Sequence, residues 1–313
     1  MKVLLEIVTP EDVKEKIEAL GYETYRLPKD WKENTPDLSD INFAIGAQNL
    51  KHLPWDEMKE IKGVFLKSVG IDYLPLESFK ERGILLTNNN GAYALPIGEF
   101  IVFNILQLAK QNQRFLENQR KKVWDNTFSL ETLVGRKVLF LGTGTIAQEA
   151  AKRLAPFGME IFGYNRSGRE VPEFSKIYTN DNLDEILGSM DYIVFCLPGT
   201  PETDHFFNKD FLEKIKDGVK IINISRGSVI DEKVLLEGLK SGKVAGAALD
   251  VFEKEPLPKD SELWTLDNVY LSPHLSYHSE NDAERKYSII VKNLEHFKNG
   301  EDLENLIDYD RGY

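Results

Sequence analysis

The chain has 313 residues and one cysteine, and its 39 Lys and Arg against 51 Asp and Glu give a formal net charge of −12 at pH 7. At about 150 residues per domain the length points to two domains, and an apolar content of 42% can fill two cores. The acidic balance argues against nucleic acid or an anionic membrane as partner. A lone cysteine cannot form an internal disulfide and fits a reducing cytoplasm. No run approaches the ~18 apolar residues of a membrane span, and the N-terminal apolar stretch is too short for a secretory signal.

Short apolar runs alternate with helical stretches, which predicts parallel sheets with crossover helices. In the first third, strands are expected at Val3–Val8, Ile41–Ile45, Val64–Lys67 and Ile84–Thr87. Helices are expected at Glu11–Leu20 and Leu76–Arg82, each stopped by a glycine, Gly21 or Gly83. Residues 97–119 read as one long helix entered after Pro96. This helix, with the polar stretch 120–132, reads as a change of domain. A second series follows, with strands at Val138–Leu141, Glu160–Tyr164, Tyr192–Leu197, Lys220–Ile224, Ala245–Leu249 and Val269–Leu271. Helices fill Ile146–Leu154, Leu183–Leu187, Lys209–Lys216 and Glu232–Lys240, and the tail Ser279–Lys298 is helical again. Six strands with intervening helices predict a doubly wound dinucleotide-binding domain.

The sharpest local signal is Gly142-Thr143-Gly144-Thr145-Ile146-Ala147, set between a strand and a helix. In that setting Gly142 permits a tight turn and Gly144 lets a pyrophosphate approach the backbone. Ala147 allows close helix–strand packing. The helix start at Thr145 and Ile146 offers N–H groups and a positive dipole end to phosphate. An NAD-preferring site places an acid at the end of the next strand. Here that place reads Tyr164-Asn165-Arg166-Ser167. Arg166 can pair with a 2′-phosphate, and Asn165 and Ser167 can hydrogen-bond to it, so NADP(H) is favoured with NAD(H) possible.

Three further segments each follow an expected strand: Asn223-Ile224-Ser225-Arg226-Gly227, Leu249-Asp250-Val251-Phe252 with Glu255-Pro256, and Ser272-Pro273-His274. In open α/β sheets ligands sit outside the carboxyl ends of the strands, so Arg226, Glu255 and His274 can converge although distant in sequence. In this order, and with the glycine turn, these segments resemble the D-isomer-specific 2-hydroxyacid dehydrogenase family across nearly the whole chain. Cys196-Leu197-Pro198-Gly199-Thr200-Pro201-Glu202-Thr203, Lys67-Ser68-Val69-Gly70-Ile71-Asp72, Gly91-Ala92-Tyr93-Ala94 and Glu99 add to the likeness.

The resemblance implies an α/β architecture of two doubly wound parallel-sheet domains. A Rossmann NAD(P)-binding domain, 96–276, would be inserted in a flavodoxin-like substrate-binding domain, 1–95 and 277–313, closed by the C-terminal helix. It implies hydride transfer between NAD(P)H and a small 2-oxo acid or D-2-hydroxy acid, with glyoxylate or hydroxypyruvate reduction the first expectation. Arg226 would bind the substrate's carboxylate and carbonyl, His274 would be the general acid, and Glu255 would orient and stabilise the histidine. Val69 and Gly70 would hold the substrate carboxylate through their N–H groups. Asp250 would contact the nicotinamide carboxamide, and Cys196, Leu197, Pro198, Thr203, Ile224, Ser225 and Ser276 would line the cofactor. A homodimer using helix 97–119 is expected, as in relatives. The family usually continues past its histidine with two glycines, whereas this chain has Ser276-Tyr277, and the bulky Tyr277 would crowd the cleft, contact the substrate or shift the cofactor. His274 and His278 have the spacing of two metal ligands on a helix, but Pro273 and the strand before it argue against one, and no metal is expected. The alternative is a dinucleotide-sensing interaction module of the corepressor kind on the same fold, which would be expected to carry long disordered tails or a peptide cleft.

Overall fold

The structure is a computed structural model that describes residues 1–127, 129–280 and 282–310. Phe128, Asn281 and residues 311–313, which fall in stretches named above, lie outside the described residues. In chain order the elements begin β1 (Lys2–Leu5), α1 (Glu11–Ala19), β2 (Glu23–Arg26), β3 (Phe43–Gly46), β4 (Gly63–Leu66), α2 (Leu76–Glu81) and β5 (Leu85–Thr87). Then come α3 (Ala94–Lys110), α4 (Asn112–Lys121), β6 (Lys137–Leu141), α5 (Thr145–Leu154), β7 (Glu160–Tyr164), β8 (Lys176–Tyr178), α6 (Asp184–Leu187) and β9 (Tyr192–Phe195). The chain ends with α7 (Lys209–Lys214), β10 (Val219–Asn223), α8 (Glu232–Ser241), β11 (Val244–Leu249), β12 (Val269–Leu271) and α9 (Asp282–Asn299). The chain divides into two compact units, Met1–Tyr93 with Ser279–Tyr313, and Ala94–His278.

In the first unit five parallel strands lie in the order β2-β1-β3-β4-β5, the flavodoxin-like order. Side chains alternate across the strands, so each face of the sheet needs its own cover. Val3, Leu5, Phe43, Ile45 and Phe65 pack with Val13 and Ile17 of α1 and with Tyr287, Ile290 and Leu294 of α9. Leu4, Ala44, Val64, Leu66 and Leu86 pack with Phe79 of α2 and with Trp31, Trp55 and Met58. The chain after α9 covers the β5 edge. Ile307 N–H donates to the Leu86 carbonyl at 2.8 Å, and the Tyr309 hydroxyl donates to that of Ile84 at 2.6 Å.

In the second unit seven parallel strands lie in the order β12-β11-β10-β9-β6-β7-β8. This is the Rossmann order with one strand added, and it places the switch point between β6 and β9. The sequence missed β2 and β8, the polar edge strands of their sheets. It also read α3 and α4 as one helix from 97 to 119. The helix instead starts at Ala94, before Pro96, and breaks at Gln111, whose φ is +51°. The Tyr270 hydroxyl accepts the Gln113 N–H at 3.0 Å and donates to the Gln107 carbonyl at 3.1 Å. A side chain inserted into the helical ladder in this way is a recognised cause of a break. The stretch around 120–132 read as a change of domain, but it belongs within the second unit. Among the described residues no helix is long and apolar enough to cross a membrane.

Candidate active site

β6 ends at the glycine turn. Gly142 has φ +98°, and a Cβ placed on it would lie 2.6 Å from the Cys196 carbonyl oxygen at the end of β9. Only glycine brings the two central strands together there. A Cβ on Gly144, directly before Thr145 and Ile146 of α5, would meet nothing within 4 Å, so this backbone stands open to a ligand at a helix N-terminus. After β7, Asn165 Nδ2 donates to Thr143 Oγ1 at 3.0 Å and to the Arg169 carbonyl at 2.9 Å, while Ser167 Oγ donates to Asn165 Oδ1 at 3.2 Å. These bonds tie the expected ribose-side loop to the glycine turn. Arg166 is exposed on that loop. The Glu202 carboxyl lies below the usual carboxylate range through hydrogen bonds to backbone and to Thr200, and in smaller part through the charge of Arg166. An open glycine at a helix start, a basic loop after the second strand and hydroxyl donors beside it suit a dinucleotide phosphate group.

The segment after β9 also folds toward this edge. Thr203 Oγ1 donates to the Pro198 carbonyl at 2.6 Å and accepts the Thr200 N–H at 2.9 Å, closing a tight turn after Leu197. Burial pushes the Cys196 thiol well above its ordinary value, so it stays a neutral packing group.

β10 delivers Arg226 by way of Ile224 and Ser225, each 7% exposed. Asn223, which the sequence reading passed over, organises this turn. Its Oδ1 accepts the Ser225 N–H at 3.0 Å and hydroxyl at 2.8 Å, and its Nδ2 donates to the Arg226 carbonyl at 3.0 Å. Gly227 then lets the backbone press against the next loop, since a Cβ there would fall 1.9 Å from the Phe252 carbonyl. The Arg226 stem crosses Gly199, where a Cβ would lie 3.0 Å from Cγ of the arginine.

The segments after β11 and β12 bring Glu255 and His274 together. His274 Nδ1 lies 2.9 Å from Glu255 Oε2, and Glu255 Oε1 accepts the Phe252 N–H at 3.2 Å. A carboxylate on Nδ1 fixes that nitrogen as the donor and turns Nε2 outward. His274 has φ +53°, so it is not helical, and the helix that a paired metal site with His278 requires is not formed. Asp250 holds the histidine in this left-handed conformation. Its carbonyl accepts the His274 N–H at 2.8 Å. Its carboxylate, 1% exposed, accepts the Ser272 hydroxyl at 2.6 Å and the N–H groups of Leu275 at 2.9 Å and Ser276 at 3.0 Å. Asp250 thus grips the backbone on both sides of His274. The Tyr277 ring stands edge-on to that of His274 at 6.1 Å and lies 4.5 Å from that of His278.

In the first unit, Val69 and Gly70 follow β4 in a half-buried loop. Among the described residues neither N–H has a partner.

The model of the D-isomer specific 2-hydroxyacid dehydrogenase NAD-binding domain matches residues 102–276. A hydroxypyruvate reductase of Thermotoga maritima is 35% identical over 235 residues, 74% of this chain and 75% of that protein. A D-3-phosphoglycerate dehydrogenase of Methanocaldococcus jannaschii is 33% identical over 80% of this chain, and the match spans only 48% of that longer protein. An NADPH-dependent glyoxylate/hydroxypyruvate reductase of Sinorhizobium meliloti, solved with NADP and sulfate, superposes with a TM-score of 0.84 at 28% identity, covering 100% of this chain and 99% of that one. The fold and the residues at its sheet edge define an NAD(P)-dependent oxidoreductase. The chain belongs to the D-isomer specific 2-hydroxyacid dehydrogenase family.

Proposed function

We propose that this protein is an NADPH-preferring reductase of a small 2-oxo acid, with glyoxylate and hydroxypyruvate the first candidates. The observation that carries this is the His274–Glu255 pair at 2.9 Å, set at the carboxyl edge of a sheet that also presents Arg226 and the glycine turn. When bound, the cofactor supplies the hydride that reaches the substrate's carbonyl carbon. His274 hands a proton from Nε2 to the carbonyl oxygen, and Glu255 stabilises the protonated ring that precedes this step. Arg226 pairs its planar fork of donors with the carboxylate and the carbonyl oxygen, opposing charge that grows there. In the first unit the N–H groups of Val69 and Gly70 receive the carboxylate. Tyr277 lies beside His274 and limits substrate size. Gly142, Gly144, Thr145 and Ile146 take the pyrophosphate, and Asn165, Arg166 and Ser167 take the 2′-phosphate. Cys196, Leu197, Pro198, Thr203, Ile224, Ser225 and Ser276 line the nicotinamide side, where Asp250 keeps the His274 loop in place. The units Met1–Tyr93 with Ser279–Tyr313 and Ala94–His278 take the substrate-binding and cofactor-binding roles. A cytoplasmic location suits the single cysteine.

The test is oxidation of NADPH and of NADH at 340 nm against a panel of 2-oxo acids, for the native chain and for Arg166→Ala. The native chain should prefer NADPH, and the variant should lose about 10-fold or more in kcat/KM for NADPH, the scale of one charged hydrogen bond, with NADH unaffected. Equal efficiency with both cofactors in the native chain would sink the preference. Cofactor binding without turnover of any 2-oxo acid would favour a sensing module. We also propose a homodimer built on α3, α4 and the chain after them, where Phe103 is 53% and Trp124 97% exposed. Sedimentation equilibrium should give twice the chain mass of 35.8 kDa, and Trp124→Ser should shift it toward the single chain.

A further inference from the structure

The loop that carries Val69 and Gly70 is held from behind by asparagines. β5 runs into Asn88-Asn89-Asn90. The Asn89 N–H donates to the Ser68 carbonyl at 2.9 Å, and Asn88 Nδ2 donates to the Val69 carbonyl at 3.0 Å. Asn89 Nδ2 donates to the Lys67 carbonyl at 3.2 Å, which also accepts the Tyr93 hydroxyl. Three successive carbonyls are therefore fixed. A trans peptide is planar, with its C=O and N–H pointing opposite ways. The Ser68 carbonyl shares its plane with the Val69 N–H, and the Val69 carbonyl shares its plane with the Gly70 N–H. Fixing these two oxygens aims the two N–H groups away from the asparagines, as adjacent donors. Lys67, the one cation of the loop, is paired with the buried Glu6 carboxylate, so anion recognition falls to the amide dipoles. The asparagine segment is itself held by the C-terminal return. Asn305 Nδ2 donates to the Asn90 carbonyl at 2.9 Å, and the Asn88 N–H donates to the Asn305 carbonyl at 3.2 Å.

We propose that Asn88 and Asn89 are positioning residues for carboxylate recognition: they turn the Val69 and Gly70 N–H groups into a fixed two-donor seat for the substrate carboxylate. This rests on the reading that those two amides receive it. The test uses the intact enzyme with oxamate, a 2-oxo acid mimic, as probe. In Asn88→Ala the oxamate Kd and the KM for glyoxylate, or for whichever 2-oxo acid the panel selects, should rise about 10-fold, equal to about 1.4 kcal/mol. The kcat and the NADPH Kd should hold. Asn305→Ala, which leaves the bond to Val69 intact, should move KM in the same direction by less. A fall in kcat with KM unchanged, or unchanged oxamate affinity in both variants, overturns the proposal. Amide NMR of the native enzyme separates the two layers. If the Val69 and Gly70 signals shift with oxamate while Asn88→Ala binds it normally, only the asparagine role fails. If they do not shift, the reading beneath it fails as well.

Discussion

His274→Asn should lower kcat for 2-oxo acid reduction by about 10²- to 10⁴-fold, the usual contribution of a positioned general acid. Asparagine is the informative replacement because His274 sits at φ +53°, a conformation that asparagine tolerates better than most residues. The loop therefore keeps its shape while the transferable proton is lost. NADPH affinity should be unchanged, since the glycine turn and the Arg166 loop lie on other strands of the sheet. Glu255→Gln should cost less, because an acceptor for the Nδ1–H remains while the charge that stabilises the protonated ring is gone. Steady-state rates together with cofactor fluorescence titration decide the matter. A variant that keeps its native kcat would remove His274 from the chemistry.

Asp250→Ala should damage both stability and turnover. The carboxylate is 1% exposed and accepts three hydrogen bonds, from Ser272, Leu275 and Ser276. Alanine would leave a hydroxyl and two peptide N–H groups without their acceptor, at about 1–3 kcal/mol for each that stays buried. In a unit of this size each kcal/mol corresponds to about 2–4 °C of Tm, so a fall of about 2–12 °C is expected for each group that stays buried. Below that new Tm, kcat should still be depressed, because the grip on both sides of His274 is lost. Asp250→Asn keeps one acceptor oxygen and should fall between. Calorimetry and activity at 25 °C separate the two losses, and unaltered turnover in a folded Asp250→Ala protein would contradict the positioning role.

How far the sequence carried depends on where each signal resides. Central strands such as Val138–Leu141 announce themselves, because burial on both faces demands an unbroken apolar run. The polar strand Glu23–Arg26 and the three-residue Lys176–Tyr178 lie at sheet edges, where one side is wet and the run is lost. The break at Gln111 was illegible for another reason: its cause is Tyr270, a residue far along the chain. The candidate positions Arg226, Glu255 and His274 stand out in the sequence because each follows a strand in a characteristic string. The residues that hold them do not. Asn223, Ser272 and Gly199 act through contacts that exist only after folding. Gly227 was visible as a letter, but its use, to let backbone touch backbone at Phe252, was not.

The return of the chain to its first unit also has a bearing on how the protein is made. The sheet face formed by Val3, Leu5, Phe43 and Phe65 is covered in part by Tyr287, Ile290 and Leu294, and the β5 edge is sealed by residues 306–309. Both covers are synthesised after the whole of Ala94–His278. On a ribosome the inner segment can complete its sheet while the first 93 residues still lack their lid. The unit that begins the chain can therefore be completed only after the segment it encloses has been made. A nascent chain that has emerged from the ribosome as far as residue 280 would hold all of Ala94–His278 while the apolar face of its first 93 residues still lacks α9.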